Sequence, residues 1–178
     1  MKRIDIEIKG ISPFFFGKPT EDKAPKTEEQ KIKVAMNKVY CNGTLYAPGR
    51  VVNASMIRAI SMLELKMGRS LQRPKDLVKN GVFVDPVEMH FLPAMTMEDI
   101  EIVKRWTGTG MGSGIWTKHA IINEWGLIFE MRYWPALEAT YLKTALEGAG
   151  FLCGLGSRLG DGNGRFEIVS FVPRKEAI

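Results

Sequence analysis

Ile4, Ile6 and Ile8 alternate with Asp5 and Glu7 at the start of the chain, and the run closes on Ile11, Phe14, Phe15 and Phe16. A period of two places one set of side chains on one face, so residues 2–16 read as a strand with one buried side. The pattern lapses over 17–33, a polar stretch rich in Lys, Glu, Thr and Pro that reads as a partly mobile insertion. It passes into a short helix over about 28–39, with Ile32, Ala35 and Met36 on one side. Asn42-Gly43 lies between two short β-prone pieces, the strongest local hairpin signal.

Residues 51–67 switch to the helical period. Ala54, Ile57, Ile60 or Ser61, and Glu64 step along one side, Met56, Met62, Leu63 and Leu65 widen it, and the helix should end near Gly68. Residues 69–81 form a basic connector, and 82–92 an extended segment broken at Pro86. Over 96–116 the glycines display Trp106, Met111 and Trp116 with few apolar neighbours, which predicts a projecting loop or finger. Two strands follow over 118–122 and 125–133, the second alternating Leu127, Phe129 and Met131 with Ile128, Glu130 and Arg132, and Asn123-Glu124 joins them. Residues 135–150 are the clearest helix, with Leu137, Tyr141, Leu142, Ala145, Leu146 and Ala149 on one face, and 166–172 form a last strand. Setting aside insertions at about 17–39 and 68–117, the order is strand, helix, two strands, helix, strand. That is an α+β chain with a ferredoxin-like (RRM-like) βαββαβ palm and inserted finger and loop segments, one domain over 1–178.

Composition narrows the partners. Of the 178 residues 45% are hydrophobic, enough for one core, and 25 Lys plus Arg against 20 Asp plus Glu give a net charge of +5, which suits an acidic partner. Cys41 and Cys153 are far apart with no metal-type spacing, and the N-terminus lacks the apolar run of a signal peptide, so a reduced, cytoplasmic location is expected. No apolar run approaches the roughly 20 residues of a membrane span, so no membrane partner is expected.

Between the last helix and the last strand lies a glycine-arginine run containing Gly154, Gly156, Arg158, Gly160, Gly162, Gly164 and Arg165. Such a loop either turns its amides and guanidinium groups toward an anion or serves as a surface turn. Nucleotide-binding motifs are excluded: the Lys-Ser/Thr pair of a P-loop is missing, and the glycines follow a helix where both the P-loop and the dinucleotide fingerprint precede one. Asp161 and Asn163 are too few for a calcium loop. His90 and His119 have no partner at metal-ligand spacing, so neither metal nor cofactor is expected. Either histidine is a candidate general base for RNA cleavage, or a structural residue. Cys153, in an apolar run, should be buried and unreactive.

Pro48-Gly49, followed by a helix carrying Arg58, and the terminal loop ending Gly162-Asn-Gly164-Arg165-Phe166 resemble the RAMP superfamily, the RNA-binding subunits of CRISPR effector complexes. The run of Gly154, Gly156, Arg158, Gly164 and Arg165 also looks like small phage and prophage proteins that share this pattern. The resemblance implies a palm that holds single-stranded nucleic acid by its backbone and a finger that separates groups of bases. On that expectation Trp106 and Trp116, with Arg105, stack on or contact the strand, unless the tryptophans fold back into the core. Arg58, Lys118, Arg158 and Arg165 line its phosphates. Three functions are then in view. They are non-catalytic binding of single-stranded RNA or DNA, RNA favoured, with self-association along the strand; a phage-encoded module that engages or imitates CRISPR-type effector subunits; and an RNA-processing endoribonuclease acting through His90 or His119.

Overall fold

The computed structural model describes residues 1–21, 24–66, 74–110, 113–157 and 159–174. The first half of the chain runs β1 (Lys2–Gly10), β2 (Phe14–Phe15), α1 (Glu28–Asn37), β3 (Cys41–Asn42), β4 (Thr44–Pro48), α2 (Arg50–Met62) and α3 (Pro74–Gly81). The second half runs β5 (Val82–Asp85), β6 (Glu88–Leu92), β7 (Glu101–Gly110), β8 (Ser113–Ile122), β9 (Gly126–Tyr133), α4 (Ala139–Gly148) and β10 (Phe166–Pro173).

β1 lies one strand in from the β10 edge of the main sheet, antiparallel to β10 on one side and to β9 on the other. Beyond β9 come β5 and β6, then β4 and β3. The register follows the apolar alternation: Ile4, Ile6 and Ile8 stand opposite Met131, Phe129 and Leu127, and all six are buried. Each such side chain stabilises the fold by roughly 1.5–3 kcal/mol. The helices cover this face. α2 buries Val52, Ser55, Met56, Ala59 and Ile60, the i, i+3, i+4, i+7, i+8 stripe of a core-facing helix, and α4 buries Leu142, Ala145 and Leu146. The result is the expected α+β ferredoxin-like βαββαβ palm, with α2 leading to the β5/β6 strand and α4 leading to β10.

Three local expectations are corrected. The stripe of α2 is not centred on Ala54 and Ile57; it is rotated because Ser55 enters the core, where its hydroxyl donates to the Gly154 carbonyl at 2.7 Å, and the helix stops at Met62. The second palm strand is not 118–122. It is 82–92, placed by sequence inside the insertion at about 68–117 and interrupted at Pro86, which has no N–H to donate. Residues 118–122 belong instead to β8, in a separate three-stranded sheet ordered β2-β8-β7. The part of the basic connector that is described, from Pro74, is helical.

The outer face of the palm is polar at its centre. Arg174 grips Asp5 with two hydrogen bonds of 2.6 and 2.7 Å and reaches Glu130 at 2.9 Å, and Arg132 pairs with Asp85 at 3.3 Å. The Arg174 fork holds the Asp5 carboxyl below the usual range. An RRM stacks bases on aromatic residues at this position, whereas here carboxylates and their arginines fill it.

Candidate nucleic-acid interface

The expected finger is a β-hairpin. β7 and β8 are ten residues each, so each spans about 33 Å. The base is anchored, with Ala120, Ile121 and Ile122 buried and Ile100 and Ile102 packed on the core. Farther out the burial ends and cross-strand pairing takes over. Lys104 stands opposite Lys118, and Trp106 opposite Trp116, so by strand alternation all four share one face. The indole rings meet edge to face with centroids 5.4 Å apart, and the Lys104 ammonium sits 5.3 Å from the Trp116 centroid. Even so, Trp106 and Trp116 remain 48% and 49% exposed: they pack on each other and not into the core. Gly114 makes this possible, because a Cβ there would meet the Trp106 ring at 2.6 Å.

The facing wall is α1. Thr27 and Gln30 form a capping box that fixes its start, which presents Glu28 in the first turn. Glu28 binds Lys31 at 2.8 Å and, across the gap, Lys118 of β8 at 3.1 Å. Hydrogen bonds from Lys31 and then Lys118 hold its carboxyl at about 2. Between α1 and the finger lies a cleft of about 650 Å³. Lys26, Lys31, Lys38, Lys104 and Lys118 line it, together with both tryptophans and His119, and no Asp or Glu is among its described lining residues. The Nε2 of His119 is 2.8 Å from the Thr117 hydroxyl, and its ring lies 5.8 Å from that of Phe15. Chemically the cleft offers cations for phosphate oxygens and flat apolar rings for bases.

The other residues expected at the site are placed elsewhere. Arg105 alternates to the opposite face of the finger, 5.9 Å from the Phe15 ring. Arg58 is exposed on α2, with its charge beside the Cys153 thiol, whose pKa burial pushes up. Arg165 is tied by its backbone, its N–H donating to the Ser12 hydroxyl at 2.8 Å and its carbonyl accepting from Ile11 at 2.8 Å. Among the described residues its Nε is buried without a hydrogen-bond partner. Arg158 and Met111 lie outside the described residues.

The amides of Gly154, Leu155, Ser157 and Gly164 bond the protein's own carbonyls and do not face an anion. Leu155 N–H donates to the Gly164 carbonyl, Gly164 N–H to Pro13, Ser157 N–H to Phe15, and Gly154 N–H to Ala149. Gly154, Gly156, Gly162 and Gly164 have positive φ, and at Gly164 a Cβ would strike the Leu155 carbonyl. Gly160 has open space around it and no positive φ, so the tight turn does not depend on it. The loop is a structural clasp between the end of α4, residues 12–16 and β10.

No protein-family model matches the chain, and no curated protein is similar to it in sequence. Among solved structures, a chain in the cryo-EM structure of type III-B Cmr-beta bound to cognate target RNA is similar, with a TM-score of 0.52 and 14% identity. The match covers 99% of this chain and 61% of that one. The likeness is one of fold. Among the described residues, no group of His, Cys, Asp and Glu is placed to hold a metal ion, and no helix is long and apolar enough to cross a membrane.

Sequence reading missed four of the five lysines of the cleft. Lys26, Lys31 and Lys38 come from the stretch read as an insertion at about 17–39, and nothing local marks them. Lys104 did leave a signal: Lys104-x-Trp106 and Trp116-x-Lys118 are mirror images, as two strands of one hairpin would be.

Proposed function

We propose that the protein is a RAMP-type, non-catalytic binder of single-stranded nucleic acid, RNA in preference to DNA, and that the strand lies in the cleft between the finger and α1. The observation that carries this reading is the cleft itself: five lysines and two half-exposed tryptophans around about 650 Å³, with no carboxylate in its described lining. The RAMP resemblance of the Pro48-Gly49 step and the terminal loop supports it, as does the fold shared with a chain of an RNA-bound structure. On this reading the protein is intracellular and lines a strand in several copies or beside CRISPR-type effector subunits. Lys31 and Lys118 release Glu28 to meet phosphate. Arg105, Arg58 and Arg165 contribute at most to the flanks, and the glycine run acts by positioning β10.

The test is fluorescence anisotropy of a labelled oligouridylate against wild type, Trp106→Ala and Trp116→Ala. Loss of one stacked base costs about 1–3 kcal/mol, so each variant should bind roughly 5- to 150-fold more weakly while folding normally. Unchanged affinity in both variants rejects the cleft as the site. Deoxyuridylate of the same length should bind more weakly than the RNA, and wild type incubated with RNA should leave it intact; cleavage abolished by His119→Ala would replace the binding role with the nuclease one.

A second reading, a module that engages effector subunits, is favoured by one observation. Met62, Leu63 and Phe151 are 55%, 43% and 69% exposed near the junction of α2 and the end of α4. A protein partner retained from nuclease-treated lysate by wild type, and lost with Phe151→Ser, would support it.

A further inference from the structure

We infer that the bound strand does not end at the cleft but continues along the edge of the palm onto a stacking ladder formed by Tyr40, Tyr46 and His90, which takes additional nucleobases. This rests on the cleft reading and extends it to a second subsite.

The ladder follows from strand alternation. Leu45 and Ala47 of β4 and Met89 and Phe91 of β6 point into the core, so Tyr46 and His90, directly opposed in register, point outward. Their rings lie 6.0 Å apart, and Tyr40 adds a third ring 5.6 Å from Tyr46. His90 is exposed and the tyrosines are partly so. Successive rings meet at 50° and 61°, so each presents its own face or edge to solvent, and Tyr40 is anchored by packing against the core.

Polar groups hold the ladder in place and give it a rim. The Thr44 hydroxyl lies 2.7 Å from His90 Nδ1 and sets the imidazole plane. The Arg50 guanidinium donates to the Tyr40 hydroxyl at 3.3 Å and is exposed beside the ladder, a cation open to a phosphate. Glu88, which accepts from Asn42 at 3.2 Å, stands beside the Tyr46 phenol. Burial, with Glu88 next to it, raises the Tyr46 pKa.

Position selects nucleic acid as the occupant. Lys38 lines the cleft, and Tyr40 follows two residues later, at most about 7 Å along the chain. Tyr40 is therefore within reach of a strand that passes Lys38. The centre of the palm offers no alternative path, because Asp5 and Glu130 occupy it and their arginines are already engaged.

The experiment is a length series of labelled oligouridylates, from about 4 to about 16 nucleotides, the range of single-strand site sizes. Wild type should gain affinity with length beyond what the cleft alone holds. Tyr46→Ala should remove roughly 5- to 150-fold of affinity for the long strands and leave the shortest unchanged, whereas Tyr46→Phe, which keeps the ring, should retain the gain. Trp106→Ala should weaken every length. If Tyr46→Ala and His90→Ala bind all lengths like wild type while Trp106→Ala does not, the ladder is refuted and the cleft stands. If none of them affects binding, the cleft reading falls as well. If Tyr46→Ala alters sedimentation of the free protein but not affinity for any length, the face is a protein interface and the inference is overturned.

Discussion

The clasp at residues 154–166 and the finger built from β7 and β8 are made of similar material, glycines interspersed with cations, and they are used in opposite ways. In the clasp, backbone groups bind the protein's own carbonyls, and Gly154, Gly156 and Gly164 are required because other backbone lies where a Cβ would go. In the finger, Gly108 has nothing within 4 Å of where its Cβ would be, and Gly114 exists to let an indole ring lie across it. One region turns inward and fixes β10; the other turns outward and carries exposed side chains. Glycine content therefore does not separate a binding loop from a structural one. What separates them is where the neighbouring groups go: into the protein's own hydrogen bonds in the clasp, and out to half-exposed side chains in the finger.

Substitution at equivalent residues should expose this difference most sharply. Gly164→Ala combines a positive φ with a clash against Leu155, so it should destabilise the fold by at least about 3 kcal/mol and lower the melting temperature by roughly 6–12 °C. Gly108→Ala should change stability by no more than about 0.5 kcal/mol. Equal melting temperatures in thermal circular dichroism would erase the distinction.

Charge gives a smaller contrast. Lys104→Ala should reduce the slope of log affinity against log salt by about 0.7, the contribution of one phosphate contact to single-strand binding, whereas Arg165→Ala should leave the slope nearly unchanged. A larger loss of slope in the Arg165 variant would move the strand from the finger to the clasp.

The smallest effect concerns the contact between α1 and the finger. Because the Glu28 carboxyl is held at about 2, below its ordinary value of 4.5, the contact it makes is complete above about pH 4.5 and is lost as the pH falls through about 2. A carboxyl titration followed by NMR should therefore place Glu28 near 2 in wild type and higher in Lys31→Ala or Lys118→Ala. An ordinary glutamate midpoint in wild type would mean that the two walls of the cleft are not linked.

How much of this was legible in the sequence depended on what stabilises each element. Ile4, Ile6 and Ile8, the Leu127-Phe129-Met131 alternation and the apolar face of α4 announce themselves because burial sets their period, and they suggest the βαββαβ order, although 118–122 took the place of its second strand. The β5/β6 strand was obscured by Pro86, and the α2 stripe by a serine whose hydroxyl is satisfied inside the core. The finger was legible as a projection but not as a hairpin, since pairing between strands, and not burial, holds its outer half together. At the site, Trp106, Trp116 and Lys118 were found and do come together. Arg105, Arg58 and Arg165, expected there from the resemblance and the projecting segment, lie outside the lining of the cleft, and Lys26, Lys31 and Lys38 meet the finger only through a tertiary contact that no local pattern encodes.

The most direct measurement is photo-crosslinking of the protein to a single-stranded RNA carrying 4-thiouridine, with the adducts mapped by peptide mass spectrometry. Adducts on Trp106, Trp116 and the peptides bearing Lys31 and Lys38 are the predicted result. Adducts confined to the clasp, with the finger unlabelled, would contradict the account.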